Sequence, residues 1–173
     1  MNRGYGFIHE KLEIKILILF ILRRIMEPIS FDELIKLAMC DGGINYFDFV
    51  ECVADLTETE HLENKDDKYS ITEKGARNGE TTENSLPYSV RMHAENATFA
   101  YRSRQDRNAM INTSHTIDQD GNYTVVLSMT DGISEVVSIE LFVVSEQQAM
   151  SLEKGFRKNA ENIYNRLVKM ILE

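Results

Sequence analysis

Tryptophan is absent, and the 173 residues include only two cysteines, two prolines and nine glycines. Cys40 and Cys52 have no CxxC spacing, so neither a disulfide scaffold nor a cysteine-based zinc module is expected. Two reduced thiols packed in a core is the simple reading. So little proline and glycine leaves no material for collagen-like or low-complexity tracts and little for long loops. Long apolar runs are missing too. The longest, Ile16 to Leu22, falls far short of the ~20 residues that span a bilayer. It is flanked by Lys15 and by Arg23-Arg24, with no small-residue cleavage site behind it. A cytoplasmic protein with no membrane anchor is expected.

Basic side chains are scarce. Nineteen Lys and Arg stand against 28 Asp and Glu, for a net charge of −9. That balance opposes encounter with nucleic acid, whose phosphates are bound by cations. The deficit is uneven: residues 1–85 hold 10 basic and 17 acidic side chains, residues 86–173 hold 9 and 11. The shift places a boundary near 80–86 and suggests two domains, 1–82 and 83–173.

Signatures of catalysis are also wanting. There is no GxxxxGK[ST] and no GxSxG, and Gly4-Tyr5-Gly6 lacks the third glycine of a dinucleotide fingerprint. His9-Glu10 lacks the second histidine of a zinc protease. Asp118-Gln119-Asp120-Gly121 begins like a calcium loop, but its glycine comes too early and Met129 stands where the closing Glu belongs. No catalytic residue, metal ligand or cofactor is assigned, and a non-enzymatic protein is expected.

What is present is strong periodicity. Residues 9–26 carry two apolar stripes (Leu12, Ile16, Leu19, Phe20; Ile14, Leu17, Ile21), which predicts a central helix, ended by Pro28. Ser30-Phe31-Asp32-Glu33 is a capping box opening a second helix. After the turn Asp41-Gly42-Gly43, Asn45 caps a third helix over 45–59, with Tyr46, Phe49, Val50, Val53 and Leu56 on its buried side. A short strand near His61-Leu62, a charged tip from Glu63 to Lys68 and a returning strand Tyr69-Ser70-Ile71 follow, then a polar segment to Ser85. Residues 87–103 predict a helix with Val90, Ala94, Ala97 and Tyr101 on one face; Ala94, Ala97 and Ala100 permit close approach of another helix.

Between 110 and 144 the period changes to two. Three-residue hairpin loops at Gln119-Asp120-Gly121 and Thr130-Asp131-Gly132 align Ile117, Tyr123 and Ile139, then His115, Val125 and Val137, then Ile111, Met129 and Ile133. The opposite face, with Asn112, Ser114, Thr116, Thr124, Ser128, Ser134 and Ser138, is polar. Ser145-Glu146-Gln147-Gln148 is another capping box, opening a helix to about 171. Its stripe (Ala149, Leu152, Phe156, Ala160, Ile163, Leu167, Met170) is wide enough to cover the sheet and still meet a partner chain. With the alanine face of the 87–103 helix, it predicts a homodimer.

Helix, helix, turn, helix, then a two-stranded ribbon with a charged tip is the order of a winged helix-turn-helix. Tyr69-Ser70-Ile71-Thr72-Glu73-Lys74-Gly75 resembles the Y-x-[IL]-T-x-K-G stretch of small bacterial regulators of the PadR and MarR type, where it closes the wing and starts the next helix. Gly6-Phe7-Ile8-His9-Glu10-Lys11-Leu12-Glu13-Ile14-Lys15-Ile16-Leu17 and Gly43-Ile44-Asn45-Tyr46-Phe47-Asp48-Phe49 resemble an uncharacterised family of small bacterial winged-helix proteins across nearly the whole chain. The expected fold is α+β: an N-terminal winged helix-turn-helix and a C-terminal helix–three-strand–helix module for dimerisation or sensing.

The resemblance implies a DNA-binding transcriptional regulator. Asn45 and Tyr46 would then enter the major groove, and Lys65 and Lys68 on the wing would touch phosphate or the minor groove. Arg102, Arg104 and Arg107, in the one basic cluster, would add phosphate contacts; as plain structure, that cluster is a solvated helix end. Yet residues 44–60 hold five acids and no Lys or Arg. The competing reading is a protein-interaction module whose third helix offers Asp48, Glu51 and Asp55 to a partner. His115, on the apolar face of the sheet, is either a sensing group or a core histidine with a satisfied hydrogen bond.

Overall fold

The structure is a computed structural model that describes residues 7–8, 10–39 and 42–173. The Gly4–Gly6 segment, His9, Cys40 and Asp41 lie outside the described residues. The architecture is α+β, with two three-stranded antiparallel sheets and two compact units, residues 1–102 and 103–173.

The first unit is built around α1 (Lys11–Ile25), in which Ile14, every residue from Ile16 to Leu22, and Ile25 are buried. A helix apolar all round needs neighbours on every side. They are α2 (Phe31–Ala38), α3 (Tyr46–Glu58) and α4 (Glu73–Thr82), with a small sheet of β1 (Ile29–Ser30), β2 (Leu62–Lys65) and β3 (Lys68–Ile71) in the order β1–β3–β2. The expected caps form. Ser30 Oγ accepts from Glu33 N, while Ser30 N donates to the Glu33 carboxylate. Asn45 Oδ1 accepts from Phe47 N at 2.8 Å.

Helix α4 occupies much of what the sequence reads as a polar segment. A 3₁₀ turn, Glu83–Ser85, then leads to α5 (Tyr88–Ala109). This helix runs past the expected end at 103. Leu86, Val90, Ala94 and Tyr101 are buried in the core of the first unit, and Ala97 packs against it. Residues 83–102 therefore pack with the N-terminal unit, although the charge shift groups them with the second. The Ala94–Ala97 face is used inside that unit and is not left for a second chain.

The second unit is β4 (Ile111–Ile117), β5 (Tyr123–Thr130) and β6 (Glu135–Val143) in sequential order, covered by α6 (Glu146–Leu172). The first hairpin has the expected register, Ile117 opposite Tyr123, His115 opposite Val125 and Ile111 opposite Met129. Gly121 takes the required left-handed conformation (φ 83°).

The second hairpin departs by four residues. Leu127 pairs with Ile139 and Met129 with Val137. The cause is local. Asp131 Oδ1 accepts from the amides of Ile133 (2.9 Å) and Ser134 (2.8 Å), and Thr130 Oγ1 donates to Ser134 O. This side-chain-stabilised turn enlarges the loop and bulges the strand at Met129/Thr130. Because the slip is even, the same side of β6 faces inward. Ile133, expected opposite Met129, is instead 95% exposed. Met170, expected in the stripe of the last helix, is exposed as well.

Candidate interaction surface

Three acids on α3 lie on the flank that faces α1. Lys11 Nζ is 2.7 Å from Glu51 and 4.0 Å from Asp48, and Lys15 Nζ is 2.8 Å from Asp55. The spacing explains the match: Lys11 and Lys15 are four apart on one helix face, and 48, 51 and 55 share one face of the other. The hydrogen bond that Lys11 donates to Glu51, with the charges of Glu51 and Asp48, outweighs desolvation and holds the Lys11 ammonium above the usual lysine range. The three acids expected to await a partner thus lie against two lysines of the same chain, which offset two of their three charges.

Beneath this seam Cys52 is buried and unbridged, and its thiol donates to Lys11 O at 3.4 Å. Burial pushes its pKa up to about 11. The thiolate is the reactive form, so iodoacetamide at pH 8 is expected to leave Cys52 unmodified in the folded protein. Alkylated Cys52 peptide from protein that has never unfolded would contradict this.

The face of α3 turned away from the core is different. Phe47 is 78% exposed, Tyr46 53% and Val50 37%, and Ala54 and Glu58 continue the stripe. Tyr46 and Val50, expected on the buried side, stand in solvent; Phe49, Cys52, Val53 and Leu56 fill the core side. Tyr46 and Phe47 meet edge to face, with ring centroids 5.8 Å apart. The signal missed in the sequence is crowding. Phe47 and Phe49 are two apart, so a helix cannot turn both to the same core.

A clamp holds the C-terminal end of α3. Thr72 Oγ1 accepts from Gly75 N and lies 2.8 Å from Glu60 O, to which it donates. Lys74 Nζ donates to Thr59 O at 2.7 Å. His61 Nε2 accepts from Asn78 Nδ2, and its Nδ1 lies 2.9 Å from Thr59 Oγ1, which suits the neutral ring. Burial, then Lys74, holds the His61 pKa below the usual value. The Thr72-Glu73-Lys74-Gly75 stretch therefore fixes the end of α3 to the hairpin and to α4.

Most of the basic candidates are engaged within their own unit. Lys65, on the hairpin, pairs with Glu63 at 2.6 Å. Lys68 is exposed beside a tip formed by Asp66 and Asp67, both in the left-handed conformation. Within the first unit, Arg102 donates to Arg24 O at 3.3 Å. Within the second, Arg107 donates to Glu161 and to the carbonyls of Arg157 and Lys158, so its guanidinium joins the end of α5 to α6. Arg104 is exposed. His115 packs near Tyr123, and its Nδ1 is 2.9 Å from Glu153 on α6. It is a partly buried, hydrogen-bonded histidine of the sheet–helix interface. Among the described residues no group of three His, Cys, Asp or Glu could hold a metal, and no helix is long and apolar enough to cross a membrane.

No curated protein and no solved structure matches the chain significantly. Residues 14–171 match the family described as Domain of unknown function (DUF4364), and as that is nearly the whole chain, the protein belongs to the DUF4364 family.

Proposed function

We propose that the chain is a non-enzymatic, cytoplasmic regulatory protein of winged-helix build that acts as a homodimer and docks a protein partner on α3. The build is supported by the order α1, β1, α2, α3, β2, β3, with β3 central in its sheet, which is that of a winged helix-turn-helix. The docking reading is carried by one observation. The outward face of the helix that would read DNA presents Tyr46, Phe47, Val50 and Ala54, with Glu58 at its end and no Lys or Arg. Exposed aromatics rimmed by charge are the composition of a protein-docking patch. The matching partner is an amphipathic segment with an apolar strip and basic flanks. Transcriptional regulation then proceeds through contact with another protein.

DNA binding is the second reading, favoured by Lys68, exposed beside a two-residue hairpin tip where a wing would reach the backbone. A titration of random duplex DNA across a salt series separates the two. The docking reading expects no binding even at low salt. Affinity that falls steeply with salt would overturn it, and the slope would count the phosphate contacts. A photo-crosslinking residue at position 47 is expected to trap a protein in cells, and one at position 68 to trap neither protein nor DNA.

A further inference from the structure

Nine residues long, β6 is an edge strand of its sheet, and helix α6 lies mainly over β4 and β5. Beside β6 this leaves a groove of about 310 Å³ lined by Leu127, Ile139, Leu141, Leu152, Phe156 and Gly155. A second cavity of about 830 Å³ opens where β6 turns into α6, at Phe142, Val144, Gln148 and Leu152. Past Ala160 no residue of α6 is fully buried, and Met170, Ile171 and Leu172 project into solvent.

We infer that the occupant of this open side is a second copy of the chain, joined by antiparallel β6–β6 pairing about a twofold axis. This deepens the homodimer part of the proposed function and is independent of the α3 surface.

Self-complementarity is the first argument, because a twofold interface must match itself. Centring the pair on Ile139 sets Val137 against Leu141 and Val136 against Phe142, with Ser138 opposite Glu140. A centre on Glu140 would oppose two like charges. Geometry is the second. An axis perpendicular to the sheet keeps both α6 helices on the same face and merges the two grooves. The helices then approach through Ser151 and Gly155, where a Cβ on Gly155 would meet nothing within 4 Å.

Reach is the third argument. Chain direction makes α6 antiparallel to β6, since Glu153 meets His115 and Arg157 meets Ile111 and Thr113. At about 1.5 Å per residue the 27-residue helix spans about 40 Å, against about 30 Å for β6. Its apolar last turns therefore overshoot the Glu135 end of β6. Pairing places that end beside the partner's Val143 end, where the larger cavity opens. Charge is the fourth: residues 103–173 carry 7 basic and 10 acidic side chains, a smaller net repulsion than the 12 and 18 of residues 1–102 would give.

Sedimentation equilibrium of the full chain tests this. Wild type should show twice the 19.9 kDa monomer mass. Gly155→Lys adds bulk where the monomer has open space, and Leu141→Lys charges a residue already exposed in the monomer. Each should raise the dissociation constant about 30-fold or more, as removal of an interface hot spot does, with circular dichroism unchanged. Val126→Lys, on the outer face of the central strand β5, should leave the dimer intact. A monomeric wild type would overturn the homodimer itself. A wild-type dimer indifferent to both variants would keep the homodimer and overturn the β6 interface.

Discussion

Replacing Gly75 by alanine is expected to destabilise the first unit by about 2–3 kcal/mol, lowering its melting temperature by about 10–15 °C. An added Cβ would drive into the carbonyl oxygen of His61 and lie 2.9 Å from Ile71 Cγ1. The His61 carbonyl is backbone and also accepts from Thr72 N, so it has nowhere to retreat. Alanine's better helix propensity, worth about 1 kcal/mol, offsets only part of the clash. Gly79→Ala is the control. Its nearest neighbour is Arg23 Cδ at 2.8 Å, on a long side chain that can shift, and a change within about 1 kcal/mol is expected. A Gly75→Ala protein that melts at or above wild type would contradict the close approach of α4 to the end of α3.

Phe156→Ala is expected to cost the second unit about 3–5 kcal/mol. The fully buried apolar core there is Ile111, Val125, Leu127, Ala149, Phe156 and Ala160, and Phe156 is its largest side chain. Small domains hold few kcal/mol in reserve, so the loss should unfold residues 103–173. Hydrogen exchange provides the readout. Amides of β4, β5 and β6 should lose protection, while those of α1 and α3, packed in a separate core, keep theirs. Equal loss in both units would show that the chain melts as one body, contrary to two independent cores.

The parts of the fold legible in the sequence are those decided by neighbouring residues. Ser30 and Asn45 cap because short side-chain oxygens reach the free amides of the next turn. The 119–121 loop is readable because a glycine sits where φ must be positive. Legibility fails where a distant contact or a competing side chain decides. Helix α4, whose start only the resemblance of the Tyr69–Gly75 stretch implied, contains Gly75 and Gly79, residues of low helix propensity. Only the approach of His61 and Arg23 explains why small residues belong there. The second hairpin slipped because Asp131 gathers the amides of Ile133 and Ser134, which alternation alone does not encode. The candidate site was half legible. The sequence located α3 and its acids, but the rotation of the helix is fixed by Phe49, Cys52, Val53 and Leu56 in the core, which leaves the acids beside Lys11 and Lys15 on α1. That rotation turns Phe47 outward and sets the three acids on the flank beside α1.

Arg157 has a consequence for how far assembly can go. From α6 it donates to Ile111 O and Thr113 Oγ1 at the margin of β4, the other edge of the sheet. A cation at an edge strand discourages the addition of further strands. Once both copies of β6 are used at the twofold axis, the guarded β4 strands are the outer rims of a six-stranded sheet. Growth then stops at two chains, and the association closes into a finite particle instead of propagating as a filament.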